Sequence, residues 1–132
     1  MSKVQFTGEM KVRDYECDIQ GIVNNAVYQN YLETVRHDFL LSRGVDFADL
    51  TARGIIVVVV RAELDFKKPL RPGDAFEVTV STTQESRLKL AFHQCIRLKG
   101  SGELMLEAVI YCAALKEFKK PFMPEELRKL LD

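Results

Sequence analysis

The sequence predicts an α+β fold in which one long helix covers an antiparallel sheet. Apolar residues recur at spacings of three and four between Val27 and Leu41, which is a helical period. Beyond residue 60 they alternate with polar residues, which is the period of half-buried strands. A chain of 132 residues buries roughly two thirds of the surface that its unfolded form exposes, so we expect a single domain over residues 1–132.

The elements follow in order along the chain. A first strand is predicted near Val4 to Val12, and the helix runs from about Asn25 to Leu41, with Gly44 beyond it as a stop signal. The run "IIVVVV" at 55–60 is apolar throughout, which predicts a strand buried on both faces. In its continuation, "RAELDF" at 61–66, apolar and charged residues alternate.

The second half of the chain predicts a meander. "LRPGD" at 70–74 is a turn, "KGSGE" at 99–103 is a hairpin connection, and the strands around them are 75–81, 88–98 and 104–115. "PEELRKLL" at 124–131 predicts a short C-terminal helix with Pro124 at its first position. One helix is too narrow to cover so much sheet. We therefore expect sheets to join or stack between subunits, giving a homodimer or a homotetramer.

Composition excludes several classes of protein. Nineteen basic and nineteen acidic residues cancel, which argues against a nucleic-acid partner. The three cysteines match no metal-ligand spacing, the first ten residues contain no signal-peptide core, and no apolar run reaches the ~18 residues of a membrane span. These observations predict a reduced, cytoplasmic protein without a metal site.

The stretch "CDIQGIVNNAVYQNYLETVR" at 17–36 is the candidate functional segment. Asp18 and Gly21 occupy the first and fourth positions of a predicted type I turn, which alone explains both residues. Asn24 and Asn25 fit a helix N-cap, for which one asparagine suffices, so the other could face a cleft or solvent. The N-terminus of the helix presents unpaired N–H groups to any carbonyl that acquires negative charge. An acid beside such groups is typical of a hydrolase.

This segment, together with "RAELDFKKPLRPGDAFEV" at 61–78, resembles the hotdog-fold thioesterases of the 4-hydroxybenzoyl-CoA thioesterase type. The resemblance implies a central helix wrapped by a five- to six-stranded antiparallel sheet, paired subunits, and hydrolysis of acyl-CoA or acyl-carrier-protein thioesters without a cofactor. It places Asp18 at the catalytic carboxylate, as general base or nucleophile. Asn25 falls where many members carry His or Tyr, and we count it as the second catalytic candidate, which could hold the attacking water or the carbonyl oxygen. We add Gly21, Val27, Tyr28 and Val59 as substrate-binding candidates.

The chemistry is consistent with this resemblance. A thioester is already activated, so an oxyanion donor and a base or nucleophile suffice, and we expect the amides near Ala26 to Tyr28 to polarise the carbonyl. Glu33 could be a second acid, but pairing with Arg36 or His37 on the helix surface is the favoured interpretation. Cys17 and His93 show no partners in sequence, which disfavours a Cys–His enzyme.

Basic residues are candidates for the phosphates of coenzyme A. Arg87 and Lys89 are preferred because they lie two apart, which predicts one face of a strand, and because the resemblance places basic nucleotide contacts near them. The other basic candidates are Lys67, Lys68, Arg71 and "KEFKK" at 116–120. Three alternatives stay open, namely an acyl-carrier-protein thioesterase, a non-catalytic acyl-CoA binding module, and hydration of an enoyl thioester.

Overall fold

A computed structural model of the chain describes residues 3–131. The strands are β1 Phe6–Lys11, β2 Ile55–Phe66, β3 Ala75–Ser86, β4 Lys89–Leu98, β5 Leu104–Lys116 and β6 Lys120–Phe122, and the helices are α1 Asn25–Ser42, α2 Phe47–Ala52 and α3 Glu125–Arg128. Short 3₁₀ turns lie at Asp14–Glu16 and Lys129–Leu131. The strand pairs are antiparallel, in the order β1-β3-β4-β5-β2, and β6 pairs with β5.

Helix α1 forms where the sequence predicts it. The side chain of Asn24 accepts a hydrogen bond from the backbone N–H of Ala26, which caps the first turn. Gly44 follows the last turn with φ +76°, a conformation that glycine adopts without a Cβ penalty. The face toward the sheet is fully buried and consists of Tyr28, Tyr31, Leu32, Val35, Arg36, Phe39 and Leu40.

The helix lies close against β1 and β3. A Cβ atom on Gly8 of β1 would come within 3.0 Å of the Val35 side chain, so glycine permits this approach. On the other side, the rings of Tyr31 and Phe76 meet at 4.8 Å between centroids. The core therefore consists of the inner face of the sheet closed around α1.

Strand β2 corrects one expectation. Of the run 55–60 only Ile55 is buried, whereas Val59 is 49% exposed and Val60 is 47% exposed. The reason is that β2 pairs with β5 on one side only and forms an edge of the sheet, with a register shift between Val59 and Arg61. Within one chain, the prediction of a strand buried on both faces is wrong.

Several boundaries and two elements also differ from the sequence prediction. Helix α2, which Asp46 caps by accepting from the N–H of Ala48, and the short strand β6 were not predicted. Pro124 is the N-cap of α3 rather than its first residue. Within residues 3–131, the helices are too short or too polar to cross a membrane.

Candidate active site

Asp18 lies in a tight turn immediately before the helix. Its N–H donates to the carbonyl oxygen of Ile22 (2.9 Å), and the N–H of Gly21 donates to the carbonyl oxygen of Asp18 (3.0 Å). Asp18 Oδ1 accepts from the N–H of Gln20 (2.9 Å), and Gly21 has φ +76°. The predicted turn is thus confirmed. Among residues 3–131, the second oxygen of the half-buried carboxylate has no hydrogen-bond donor, so it is available for chemistry.

The start of α1 leaves one backbone amide open. Asn24 Oδ1 accepts from Ala26 N–H (3.0 Å) and the Asn24 carbonyl oxygen accepts from Val27 N–H (2.9 Å). The Ala26 and Val27 amides, which we expected to polarise a carbonyl, are therefore already occupied. Asn25 is the first residue of α1, and its own N–H finds no acceptor within the described part of the chain. The open donor at this terminus is the Asn25 amide.

A cleft of about 230 Å³ adjoins this amide. The Tyr28 ring lies edge-on to Phe66 at 5.4 Å, and its hydroxyl accepts from the N–H of Leu70 (3.0 Å). Burial is the main reason that the pKa of Tyr28 is raised, so the phenol stays neutral. The cleft is lined by Ile22, Val23, Asn25, Tyr28, Phe66, Lys67, Lys68 and Pro69.

The predicted site residues take different places around this cleft. Asn25 and Tyr28 line it directly. Asp18 does not line it, but the Asp18 N–H donates to the carbonyl oxygen of the lining residue Ile22, and the exposed Gly21 completes the same turn. Val27 is half-buried and packs against the core instead of lining the cleft. The structure therefore brings Asp18, Asn25 and Tyr28 to one end of α1.

The lysines at the cleft are Lys67 and Lys68. Lys67 Nζ lies 2.8 Å from Asp65 Oδ2, and this hydrogen bond is the main reason that the pKa of Lys67 is raised. Lys68 pairs with Glu103. Both lysines follow the end of β2, so their distance from the helix N-terminus depends on the pairing of the strands, which the sequence analysis did not resolve.

Arg87, Lys89 and Val59 lie at the opposite end of the sheet. Lys89 begins β4, whose next residue, Leu90, pairs with Cys112 of β5, and Cys112 in turn pairs with Val59. Phe66 at the cleft is seven residues farther along β2, or about 23 Å at the rise of a strand. A single chain does not bring these three residues to the cleft.

Arg87 also corrects a local expectation. It lies in the two-residue turn between β3 and β4, whereas Lys89 is the first residue of β4. The prediction that the two share one face of a strand is therefore wrong. Both side chains are exposed at the tip of this hairpin.

The remaining candidates lie elsewhere. Arg36 turns inward and donates from Nη1 to Gln94 Oε1 (3.0 Å), so its predicted surface pairing with Glu33 is wrong. His93 Nε2 lies 2.9 Å from Thr83 Oγ1. Partial burial and the nearby carboxylates of Asp14 and Asp18 raise the pKa of the Cys17 thiol, which disfavours a thiolate nucleophile. Among residues 3–131, His, Cys, Asp and Glu side chains form no cluster that could hold a metal ion.

The curled antiparallel sheet around one long helix is a hotdog fold. An acid and an open backbone amide lie at the N-terminus of that helix. The crystal structure of Slr0204, a 1,4-dihydroxy-2-naphthoyl-CoA thioesterase from Synechocystis, superimposes with a TM-score of 0.89 at 22% identity, covering 96% of this chain and 94% of that one. This likeness shows the fold. Residues 12–131 match the model of the thioesterase-like superfamily. The chain belongs to that superfamily.

Two relatives show how far the sequence similarity extends. The acyl-acyl carrier protein thioesterase ATL3 of Arabidopsis thaliana is 39% identical over 76% of this chain, and the match covers 53% of ATL3. The long-chain acyl-CoA thioesterase FadM of Escherichia coli is 32% identical over 94% of this chain and 95% of its own length. The chain therefore spans about half the length of its Arabidopsis relative and nearly all of its bacterial one.

Proposed function

We propose that the chain is a thioester hydrolase that converts acyl-CoA into a free carboxylic acid and coenzyme A. The observation that carries the proposal is the open N–H of Asn25, which lines the cleft, at the N-terminus of a helix whose preceding turn holds Asp18, with one carboxylate oxygen that has no donor among residues 3–131. The donor and the base or nucleophile that thioester hydrolysis requires thus meet at one end of α1.

In the proposed mechanism the thioester carbonyl oxygen accepts a hydrogen bond from the Asn25 N–H. As general base, Asp18 takes a proton from water, whose oxygen attacks the carbonyl carbon and moves the carbonyl electrons onto oxygen. The Asn25 amide and the partial positive charge of the helix stabilise this oxyanion. Its collapse breaks the C–S bond, and the proton held by Asp18 passes to the departing thiolate. As nucleophile, Asp18 would attack the carbon itself and break the C–S bond, so that the thiolate leaves and a mixed anhydride forms. Water would then hydrolyse the anhydride to the free acid and the Asp18 carboxylate, and the proton released would pass to the thiolate.

The second part of the proposal is a homodimer, or a dimer of dimers, in which the β2 edges of two chains pair. The half-exposed Val59 and Val60 support it, because they lie on an edge strand with an unpaired side. Antiparallel pairing about the middle of β2 would put the end of the sheet that carries Arg87 and Lys89 in one chain beside the Phe66 end of β2 in its partner, with Val59 near the centre of the interface. The substrate-binding residues that one chain separates would then meet across the interface.

The substrate is proposed from this site and from the relatives together. Coenzyme A carries phosphates, and the cleft with its proposed dimer interface offers Lys67, Lys68, Arg87 and Lys89. An acyl carrier protein is the second candidate carrier, because the 39% identical relative is named for it. Residues 1–132 would act as one domain without a cofactor. The three free cysteines favour a reducing compartment such as the cytoplasm.

Thiol release tests the proposal. The protein is offered acyl-CoA thioesters of short, long and aromatic acyl groups, and the same acyl groups on a carrier protein, while free thiol is followed over time. We expect turnover on at least one CoA thioester. Faster turnover on the carrier-protein thioesters would favour the second candidate. Tight binding without thiol release from either would overturn hydrolysis in favour of a binding module.

A further inference from the structure

Arg36 is a buried charge that has no carboxylate partner among residues 3–131. It lies near the middle of α1, is 7% exposed, and makes a single hydrogen bond within residues 3–131, from Nη1 to Gln94 Oε1 at 3.0 Å. Gln94 in turn donates from Nε2 to the carbonyl oxygen of Leu32 (3.0 Å), so its side chain is held in place. A guanidinium has five N–H donors in a planar fork. Most of them stay unused in the described part of the chain.

Arg36 also lines a cavity of about 250 Å³ between α1, α2, β2 and the C-terminal helix. Its walls are mainly apolar and include Leu40, Phe47, Val59 and Phe92. The polar groups that line it besides Arg36 are Glu33, His37 and Cys112. Burial raises the pKa of Cys112 to about 11, so its thiol is neutral at ordinary pH. Glu33 is exposed, and its carboxylate forms no salt bridge with Arg36.

A buried guanidinium beside apolar walls indicates which kind of ligand the cavity could bind. Taking a guanidinium out of water is unfavourable unless an opposite charge and hydrogen bonds compensate, and burial alone lowers the pKa of Arg36. A carboxylate matches the guanidinium fork with two parallel hydrogen bonds, and the apolar walls match a hydrocarbon body. A ligand with both features compensates the charge and fills the cavity.

We propose that the cavity at Arg36 binds the carboxylate of a compound with an apolar body. The site is separate from the helix N-terminus, because Asn25 and Arg36 are eleven residues apart, or about 16 Å along α1. The group held there is therefore not the thioester carbonyl. Two sources supply the same chemistry, namely a free fatty acid such as the released product, or a carboxylate at the far end of the substrate acyl chain.

Titration calorimetry with octanoate as the probe tests the proposal without relying on hydrolysis. We expect octanoate to bind and 1-octanol to bind more weakly. Arg36→Met should lower the affinity for octanoate by about 10- to 100-fold, as for loss of a charge-assisted hydrogen bond, with little effect on the affinity for octanol. Arg43→Met is the matched control, because Arg43 follows the same helix but packs over the Phe39 ring. Equal affinities for octanoate and octanol, or no effect of Arg36→Met, would overturn the proposal.

A second variant keeps the test decisive if Arg36→Met does not fold. Glu33→Gln removes the carboxylate that lines the cavity beside Arg36, and we expect it to tighten octanoate by a few-fold through relief of like-charge repulsion. Unchanged or weaker octanoate binding by a folded Glu33→Gln protein would count against a carboxylate at this site.

Kinetics separate the two sources of the carboxylate. Acyl-CoA thioesters that end in a carboxylate are compared with methyl-ended thioesters of the same length, in the parent and in Arg36→Met. A lower KM for the carboxylate-ended substrate that is lost in Arg36→Met assigns the cavity to the acyl terminus. Competitive inhibition by octanoate without that preference assigns it to the free acid. Absence of both effects contradicts a role of the cavity in substrate or product binding. A protein without hydrolysis that still binds octanoate through Arg36 would refute only the proposed function.

Discussion

The Tyr31 hydroxyl donates a hydrogen bond to Glu16 Oε1 at 2.7 Å, which ties the buried face of α1 to the segment that leads into Asp18. Glu16 Oε1 also accepts from the N–H of Arg13 (2.7 Å), and the Glu16 carbonyl oxygen accepts from the N–H of Asn24 (3.0 Å). Burial and this hydrogen bond raise the pKa of Tyr31 far above its ordinary value, so the phenol remains a donor. One glutamate thus joins both ends of the candidate catalytic turn.

Tyr31→Phe should lower the free energy of unfolding by about 1.5 to 3 kcal/mol, because one hydrogen bond to a charged group is lost while the ring still packs. We expect kcat to fall several-fold, since the turn carrying Asp18 loses its tie to the helix. Denaturant titration and thiol release measure the two effects. Thr83→Val is the control, because it deletes a hydroxyl that lies 2.9 Å from His93 Nε2, and these two residues lie on β3 and β4 and do not line the cleft. Equal losses of activity in both variants would argue against a positioning role for Tyr31.

Asp18→Asn tests the carboxylate itself. Asparagine keeps an oxygen that can accept from the N–H of Gln20, so the turn should persist, but it loses the charge that takes a proton or attacks carbon. We expect kcat to fall by at least about 100-fold with little change in melting temperature.

Asp46→Asn provides the matched control for that experiment. Asp46 Oδ1 accepts from a backbone N–H two residues ahead, as Asp18 Oδ1 does, but it caps α2. We expect nearly parental turnover from Asp46→Asn. A folded Asp18→Asn protein that hydrolyses within a few-fold of the parent would refute the proposed mechanism.

Arg87→Ala combined with Lys89→Ala should raise KM for CoA thioesters more than it lowers kcat. Contacts with the coenzyme A phosphates act equally on the ground state and the transition state, so their loss weakens binding. A truncated pantetheine thioester, which lacks the nucleotide, should show no change. If CoA and pantetheine substrates respond alike, the two residues are ordinary surface charges.

Val60→Lys should prevent assembly through β2. A lysine on an edge strand disfavours edge-to-edge pairing, and Val60 is 47% exposed, so the chain itself should tolerate the change. Light scattering should report a lower mass than the parent, and turnover should fall because Arg87 and Lys89 no longer reach a partner's cleft. A parent protein that is already a monodisperse monomer at micromolar concentration would exclude the shared site.

The buried thiol of Cys112 should make the free energy of unfolding fall as pH rises in the alkaline range. Burial raises its pKa to about 11 in the folded chain, so the unfolded thiol ionises first as pH rises. The folded state then binds more protons, and stability is lost between pH 9 and 11, by about 2 to 3 kcal/mol from this group. Cys112→Val should show a correspondingly smaller loss over the same range in denaturant titrations. Parallel curves for the two proteins would show that Cys112 does not carry the effect.

The sequence was informative where a local rule determines the structure. Asn24 caps α1 because its short side chain reaches the amide of Ala26, and the Asp18 to Gly21 turn follows from residue types at fixed offsets. Helix α2 was missed although its Asp46 cap obeys the same rule, since its six residues make fewer than two turns and are too few to show a helical period. Local sequence rules therefore predicted the turn and the helix N-terminus at the candidate site.

The wrong predictions concerned features that depend on which strands become neighbours in the sheet. The apolar composition of 55–60 predicted burial but could not indicate that β2 would be an edge, and the two-residue spacing of Arg87 and Lys89 could not indicate that a turn begins between β3 and β4. Arg36 was assigned to the helix surface because it lies three residues after Glu33, at the spacing of a helical ion pair. Its position four residues from Leu32 and from Leu40, both buried, was the signal that could have placed it inside.

The open side of β2 also sets the conditions under which the protein can be handled. A chain that has folded but not yet met a second copy exposes a valine-rich strand to any extended polypeptide, so productive pairing competes with misassociation. The rate of productive pairing depends on the square of the concentration of folded chains, whereas the rate of misassociation rises with the concentration of unfolded chains. Slow expression at low temperature and gradual refolding from denaturant should therefore improve recovery, and rapid refolding at high concentration should give turbid samples. The strand proposed to complete the site is also the segment where precipitation is expected to begin.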